Sequence, residues 1–258
     1  MTPVTRCALI TGGSSGIGLA VGRGLAAAGY DVVLNARREA PLAKACSSIG
    51  ARFVVGDCAD EADAGSIAAA AGPVDLLVHA AGRMDGTFVR KESAATFDAV
   101  LAANLRSSFL ISRAVLATMP AGGRIVFLSS SAAHEPQPGK AAYSASKAGL
   151  NAFALALAAE VERDGIAVHT VTPAPVATPM LDDVRFPMHA LASEQVAGAL
   201  IWLDTLDPSV VLPELELRAT AVGPFANEPF VPEAARALGR TELDSADGSH
   251  SRTRGCDP

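Results

Sequence analysis

The sequence predicts an α/β protein with one doubly wound, parallel sheet of about seven strands and helices on both faces. Short apolar runs of strand length alternate with longer helical patterns from residue 6 to residue 217, and such alternation with short connections is typical of a parallel sheet. A glycine-rich turn follows the first apolar run directly, at residues 12–18. A strand, a glycine turn and a helix in this order are typical of a nucleotide-phosphate site.

The expected elements can be placed along the chain. Strands are predicted at residues 6–11, 31–35, 54–57, 75–78, 124–128, 166–171 and 210–217, and the clearest helices at 19–28, 96–119, 141–161 and 193–203. Half of the 258 residues are apolar, enough for a single large core. Residues 1–217 are therefore predicted to form one dinucleotide-binding and catalytic domain. Residues 218–258 form a C-terminal extension, of which the polar residues 245–258 are expected to be disordered.

Charge and composition exclude several partners. There are 21 basic and 27 acidic residues, and no basic tract extends beyond Arg37-Arg38, so nucleic acid is not expected to bind. We expect a cytoplasmic protein without a membrane partner, since neither a leader nor an apolar run of membrane-spanning length is apparent. The four scattered cysteines indicate neither a metal site nor a disulfide framework. The low charge fraction, 19%, favours a homo-oligomer, a homodimer or homotetramer.

The glycine turn admits two interpretations. Its glycines let the backbone turn tightly and let a pyrophosphate approach the amide groups at the start of a helix. The same segment also matches a serine nucleophile elbow, Gly12-x-Ser14-x-Gly16, with histidines downstream at positions 134, 169 and 189. An elbow needs an oxyanion loop from an earlier strand–helix connection, and the residues before Gly12 leave no room for one. A serine hydrolase using Ser14 is therefore the remote alternative.

The residues after the second strand bear on the choice of dinucleotide. Arg37 and Arg38 stand where a carboxylate would grip the ribose diol of NAD, and an arginine suits the 2′-phosphate of NADP. NADP is therefore favoured over NAD, the alternative being that the arginines only begin a solvated helix. Asp57, after the third strand, either hydrogen-bonds an adenine amino group or caps the helix that starts near Asp60.

The helix at 141–161 carries an acid–base pair. Tyr143 and Lys147 lie one turn apart on one face, and a nearby ammonium group would lower the pKa of a phenol towards working pH. Two further features lie at the carboxyl ends of strands, where a ligand crevice is expected. One is the turn of small residues His79-Ala80-Ala81-Gly82, and the other is Ser130. Asn104 lies within an apolar helix, where it predicts a polar contact or a kink.

These segments together resemble the short-chain dehydrogenase/reductase family, in its single-domain Rossmann-type form, over residues 5–217. The resemblance implies that Tyr143 exchanges a proton with the substrate oxygen and that Ser130 hydrogen-bonds the same oxygen. Lys147 would lower the pKa of Tyr143 and bind the nicotinamide ribose, and Asn104 would hold a water that links Lys147 to solvent. Thr178 would bind the nicotinamide carboxamide. The cofactor-binding set so implied is Gly12, Ser14, Ser15, Gly16, Ile17, Gly18, Arg37, Asp57, Ala81, Gly82, Tyr143, Lys147, Pro173 and Thr178.

The sequence departs from the family pattern at two places. His79 stands where the family usually has asparagine, and Ala174 follows Pro173 where glycine is usual. The short segment between Thr178 and Ser193 suggests an open substrate site. Candidate pocket residues are His134, Gln137, Pro175 and Met180. Residues 194–214 resemble 3-hydroxy acid dehydrogenases more than fatty-acid ketoacyl reductases.

The expected function is NADP(H)-dependent hydride transfer between nicotinamide and a ketone or secondary alcohol of a small organic substrate. The alternative is an NADP-binding sensor or scaffold without turnover, because fold alone does not fix function. A sensor would not need an acid, its activator and a relay, so the enzyme is favoured.

Overall fold

The centre of the protein is a parallel sheet of seven strands. The computed structural model describes residues 5–207, 209–220 and 229–240. The sheet strands, in the order of the chain, are β1 (Cys7–Thr11), β2 (Asp31–Ala36), β3 (Arg52–Val55), β4 (Leu76–His79), β5 (Arg124–Leu128), β6 (Ala167–Pro173) and, after a short strand outside the sheet, β8 (Glu214–Leu217). Their spatial order is β3-β2-β1-β4-β5-β6-β8, and every pairing is parallel. The predicted doubly wound sheet is confirmed.

Eight α-helices accompany the strands in the described residues. They are α1 (Gly16–Ala27), α2 (Glu39–Ser47), α3 (Glu61–Ala71), α4 (Ala94–Leu101), α5 (Ser107–Leu116), α6 (Ala141–Val161), α7 (Ser193–Asp204) and α8 (Glu233–Ala237). Helices α1, α2 and α7 pack on one face of the sheet, and α3, α5 and α6 pack on the other.

The core consists of two apolar layers, one on each side of the sheet. Consecutive residues of one strand enter opposite layers, as Phe127 and Leu128 of β5 do. The central strands are mostly apolar because both of their faces are covered. Complete burial of one such leucine or phenylalanine side chain stabilises the fold by about 1.5–3 kcal/mol.

The predicted helix at 96–119 is interrupted. It consists of α4, a π-helical turn at Ala102–Arg106, and α5. Within the stretch 94–116, taken as one helix, an 18-residue window has a mean hydropathy of 1.3, which is long and apolar enough to cross a membrane by length and composition alone. The stretch is not an uninterrupted apolar run, because Asp98, Asn104 and Arg106 lie within it. In the structure, Leu110, Ile111 and Val115 of α5 are buried in the core, as expected for a core helix of a globular domain.

Two strands of two residues each form a second, antiparallel sheet. Strand β7 (Met188–His189) pairs with β9 (Pro229–Phe230), and α8 follows β9. Part of the C-terminal extension is therefore folded against the segment after β6. Residues 245–258, which the sequence predicts to be disordered, lie outside the described residues.

Candidate active site

The glycine turn lies at the carboxyl end of β1 and leads into α1. Gly12 and Gly16 have φ angles of +69° and +53°, a region that side chains disfavour. A Cβ atom on Gly12 would lie 2.7 Å from the backbone of Ala81, and one on Gly18 would lie 2.5 Å from the carbonyl oxygen of Gly12. Glycine is therefore required at both positions, because backbone segments meet there.

The start of α1 is suited to an anion. Its N-cap, Ser15, makes no side-chain hydrogen bond to the helix, and its first turn contains no acidic residue. The amide groups of this turn therefore point outward without an internal carboxylate, and the helix dipole adds partial positive charge. The residues present thus fit the pyrophosphate of a dinucleotide. Ser14 and Ile17 are half-buried in the same turn.

Two other segments close around the glycine turn. The amide of Ala81 donates to Thr11 Oγ1 at 3.2 Å. Gly16 faces Thr178 on the other side, because a Cβ atom at Gly16 would lie 3.1 Å from Thr178 Cγ2. Pro173 is the last residue of β6. The structure therefore brings the predicted nicotinamide-side residue Thr178 next to the predicted phosphate loop, although Gly16 and Thr178 are 162 positions apart.

The predicted acid–base group assembles where β5 meets α6. The side chain of Ser130 lies close enough to the Tyr143 hydroxyl to lower its pKa, and Ser130 Oγ accepts from the amide of Ala132 at 3.2 Å. Lys147 Nζ lies 5.8 Å from the centroid of the Tyr143 ring and donates to the carbonyl oxygen of Leu128 at 2.7 Å. Helix α6 positions both residues on its buried face. The sequence did not indicate Leu128 as a partner, because backbone acceptors leave no residue signature.

Burial changes the proton affinities of this group. The pKa of Tyr143 is raised by burial, and its hydrogen bond with Ser130 opposes this only in part. The net shift of the Tyr143 pKa is therefore opposite in direction to the one expected from the Tyr143–Lys147 pair, and the expectation that Lys147 lowers this pKa stays a prediction. The physical reason is that the ammonium group is turned to the Leu128 carbonyl, while burial itself lowers the pKa of Lys147 to about 8. The site thus holds a protonated phenol beside a lysine that titrates near neutral pH.

The sequence predicts either a polar contact or a kink at Asn104, and the structure shows both. It lies in the π-helical turn between α4 and α5. Its side chain accepts from the amide of Arg83 at 2.8 Å and donates to the Arg83 carbonyl oxygen at 3.0 Å and to Ser146 Oγ at 2.8 Å. A Cβ atom on Gly82 would lie 2.9 Å from Asn104 Oδ1 and 3.9 Å from Lys147 Nζ. Asn104 therefore fixes the turn after β4 next to Lys147. Sequence reasoning missed Ser146, although it lies three residues after Tyr143 on the same helix.

His79 takes a structural place beneath the site. It is buried at the end of β4, its ring stacks on Phe127 with centroids 4.6 Å apart, and Nε2 lies 2.9 Å from Ser112 Oγ. Burial, with a smaller contribution from the Lys147 charge, lowers the pKa of His79 to about 3. The imidazole is therefore neutral, and it supports the β4–β5 pairing rather than the turn at Gly82.

The residues at the end of β2 form a polar corner. Asn35 is fully buried and donates to the carbonyl oxygens of Val54 and Gly56 at 3.1 and 3.2 Å, which fixes the end of β3. The Arg37 side chain is 67% exposed and lies 3.9 Å from the Asp57 carboxylate. Asp57 Oδ1 accepts from the amide of Ala59. The idea that Asp57 caps α3 is wrong, because Asp60 makes both capping contacts.

The four candidate pocket residues do not converge on one described cavity. Gln137 and Pro175 are exposed, and Met180 is 41% exposed on the short helix after Thr178. His134 points to the sheet edge, where its Nε2 lies 2.7 Å from Glu214 Oε1 of β8. The same carboxylate oxygen accepts from Thr172 Oγ1 at 2.5 Å. His134 is thus held at β8, and Glu214 is a partner that the sequence did not reveal.

The serine elbow gains no support from the histidines. His134 is bonded to Glu214, His169 contacts Arg124 and Leu212, and His189 belongs to β7. Ser14 instead belongs to the turn that precedes α1.

Comparison with known proteins identifies the family. A family model described as short chain dehydrogenase matches residues 6–188. Acetoacetyl-CoA reductase of Cupriavidus necator is 33% identical over 223 residues, covering 78% of this chain and 91% of the relative. The 2-dehydro-3-deoxy-L-rhamnonate dehydrogenase (NAD(+)) of a Sphingomonas species is 37% identical over 216 residues, covering 76% of this chain and 86% of the relative. The crystal structure of BdcA in complex with NADPH matches with a TM-score of 0.76 at 29% identity, covering 86% of this chain and 96% of BdcA.

The resemblance drawn from the motifs is thereby confirmed at the level of the family, while the similarity to 3-hydroxy acid dehydrogenases stays a prediction. The relatives named here are a reductase and a dehydrogenase, and the structural neighbour binds a nicotinamide dinucleotide. The chain therefore belongs to the short-chain dehydrogenase family and is an oxidoreductase that transfers hydride between a nicotinamide cofactor and the ketone or alcohol carbon of a small molecule.

Proposed function

We propose that the protein is an NADPH-dependent ketone reductase in which Tyr143 is the proton donor. The observation that carries this proposal is the arrangement of three side chains: Tyr143 and Lys147 are buried on one face of α6, and the half-buried Ser130 acts on the Tyr143 hydroxyl. Because the pKa of Tyr143 is raised, its phenol keeps its proton at neutral pH and is ready to give it to a developing alkoxide. The sensor alternative has no specific observation in its favour.

The roles of the site residues follow from their positions. The cofactor supplies hydride when it is bound, and the turn at Gly12–Gly18 with the start of α1 would hold its pyrophosphate. Ser130 and Tyr143 would share the substrate oxygen, Ser130 holding it in line while Tyr143 transfers the proton. Lys147 would exchange its Leu128 contact for the nicotinamide ribose, and its ammonium group would stabilise the phenolate that remains. Asn104 holds the turn at Gly82 next to Lys147.

The test of the mechanism uses the two tyrosines of the chain. We expect Tyr143→Phe to lower kcat for ketone reduction by at least about 100-fold, because general acid catalysis contributes about 10²–10⁴, while NADPH still binds. Tyr30→Phe is the matched control, since the Tyr30 hydroxyl bonds Asp204 and the groups that act on it, Asp204, Arg6 and Asp75, are not site residues. Full turnover by Tyr143→Phe would refute the mechanism. Acetoacetyl-CoA and ethyl acetoacetate are suitable first substrates, the former because a relative is an acetoacetyl-CoA reductase.

The proposed preference for NADPH rests on Arg37. Its guanidinium is exposed at the end of β2, where it can pair with a 2′-phosphate, and Asn35 occupies the buried position without offering a carboxylate. The Sphingomonas relative is named as an NAD(+) enzyme, so the preference needs a direct test. We expect Arg37→Ala to weaken NADPH binding at least about tenfold more than NADH binding, and Arg23→Ala, on the exposed side of α1, to weaken neither. Equal losses would refute the preference.

The proposed homo-oligomer would form through the outer face of α4, α5 and α6. A groove of about 670 Å³ lies on this face and is lined by Phe109 and Phe153 among other residues, and Phe109 is 43% exposed. A second copy of the chain would cover these apolar groups. Light scattering of Phe109→Asp should then report a smaller particle than the wild type. The three described cysteines are free and buried, which supports the proposed cytoplasmic setting.

A further inference from the structure

The segment after Thr178 forms a loop with closed ends, which we name the lid loop (residues 178–190). An isolated bridge joins Val176 and Leu191 at its base. The amide of Ala177 donates to the Leu191 carbonyl oxygen at 2.8 Å, and the amide of Leu191 donates to the Pro175 carbonyl oxygen at 2.8 Å. The loop starts at Thr178, beside Gly16 of the glycine turn. Its base is therefore fixed at the nicotinamide side of the site, and its tip extends away from that base.

The C-terminal segment of residues 229–240, which we name the clasp, contacts the tip of the lid loop at several points. Its strand β9 pairs with β7, with Phe230 opposite Met188. The amide of Ala234 donates to the carbonyl oxygen of Asp182 at 2.9 Å. Arg240 Nη1 donates to the carbonyl oxygen of Arg185 at 3.1 Å. These contacts are distributed along the tip, so the clasp holds the loop rather than touching it at one place.

Neither partner could keep this structure alone. The two strands have two residues each and α8 has five, far below the lengths at which isolated hairpins and helices are stable in water. The contact is nevertheless specific, since Ala235 of α8 is 0% exposed while Ala237 on the same helix is exposed. The clasp and the tip therefore order each other, and such small units open more easily than a core.

Apolar side chains remain exposed on both partners. Met180 and Phe186 of the lid loop and Leu238 of the clasp are 41%, 52% and 56% exposed. Large apolar groups exposed on a loop that starts beside a site are suited to cover an apolar part of a ligand.

We propose that the clasp is a working part of the substrate lid: it holds the lid loop over the nicotinamide end of the site and thereby sets the KM for the ketone, while the dinucleotide binds without it. The inference rests on the proposed reductase function. It assigns the clasp a positioning role, because the lid loop carries the contacts with the substrate and the clasp acts through that loop.

The test compares two pairs of variants. A chain that ends at Thr220 lacks the clasp, and a chain that ends at Arg240 keeps it. Ala235→Asp places a charge in the buried contact, and Ala237→Asp places the same charge on the exposed side of the same helix. We expect the chain ending at Thr220 and Ala235→Asp to raise KM for ethyl acetoacetate at least tenfold, with the Kd for NADPH changed less than threefold. The chain ending at Arg240 and Ala237→Asp should match the wild type.

A second measurement does not depend on turnover. Arg185 is exposed at the tip of the lid loop, so trypsin should cut after Arg185 much faster once the clasp is absent or displaced. We expect faster cleavage in the chain ending at Thr220 and in Ala235→Asp, and wild-type rates in the two controls. Unchanged KM or unchanged cleavage in either clasp variant, with NADPH still bound, would overturn the inference. If the wild type reduces no ketone, the proposed function fails instead, and the cleavage rates still decide whether the clasp holds the loop.

Discussion

Lowering the pH from 7 to 4.5 should remove about 2–3 kcal/mol of folding free energy through His79 alone. The imidazole is 3% exposed, stacked on Phe127 and bonded to Ser112. Burial lowers its pKa to about 3, whereas an unfolded histidine titrates near 6.5. A group whose pKa is lower in the folded than in the unfolded protein stabilises the fold at pH values above its unfolded pKa. This stability is lost as the pH falls. Each pH unit below about 6.5 therefore costs about 1.4 kcal/mol until the folded pKa is approached.

The assay compares the wild type with His79→Asn, which has no titrating group at this position. Urea unfolding, followed by circular dichroism and by the fluorescence of Trp202, the one tryptophan in the sequence, gives the free energy of unfolding at both pH values. Titration of carboxylates and other histidines is common to both proteins and cancels in the difference. We expect the stability difference between wild type and variant to shrink by about 2–3 kcal/mol between pH 7 and pH 4.5.

His134→Asn provides a control of opposite sign. Glu214 raises the pKa of His134, so any stability from this pair is present below the ordinary histidine pKa and is lost as the pH rises. The difference between wild type and His134→Asn should therefore not shrink in acid. A wild-type minus His79→Asn difference that is the same at pH 7 and pH 4.5 would refute the account of His79 as a neutral core residue.

Three further results are expected. Asp204→Asn should lower the free energy of unfolding by about 3–5 kcal/mol in urea titrations, because Asp204 accepts two hydrogen bonds from Arg6 and is the anionic neighbour of the buried Arg124. Alcohol oxidation needs the Tyr143 phenolate, and the pKa of Tyr143 is raised. The rate of oxidation should therefore still increase with pH above about pH 9.5, close to the ordinary tyrosine value, while the rate of ketone reduction should not. Profiles of kcat/KM against pH in both directions test this. Gly12→Ala should abolish NADPH binding measured by calorimetry and cost at least about 1–2 kcal/mol of stability, whereas Gly65→Ala, which meets no neighbouring atom within 4 Å, should add up to about 1 kcal/mol.

The sheet and the acid–base group could be predicted because their signals are local. Strand ends, a glycine turn and a tyrosine four residues before a lysine are all visible within short windows of sequence. The helix at Ala141–Val161 and the strand at Arg124–Leu128 have the predicted boundaries. Parallel strands that end at one edge then bring Ser130 close to Tyr143 without further information.

Features that depend on distant partners could not be predicted. The bond of His134 to Glu214 joins residues 80 positions apart, and neither side chain has a pattern that indicates the other. The pairing of β7 with β9 involves strands of two residues, too short for any periodicity to appear. The raised pKa of Tyr143 was missed for a related reason: the pattern showed the nearby cation but not the degree of burial, and burial dominates.

The π-helical turn at Asn104 has a consequence for the alignment of the two helices that flank it. A π turn contains one residue more than an α-helical turn, so every side chain after it is rotated by about 100° relative to an uninterrupted helix. This offset lets Asn104 point to Arg83 and Ser146 while Leu110 and Ile111 still face the core. Deleting one residue within Ala102–Arg106 would restore an ordinary helix. Either the contacts of Asn104 or the packing of Leu110 and Ile111 in the core would then be lost. The extra residue thus couples the geometry of the site to the packing of the domain.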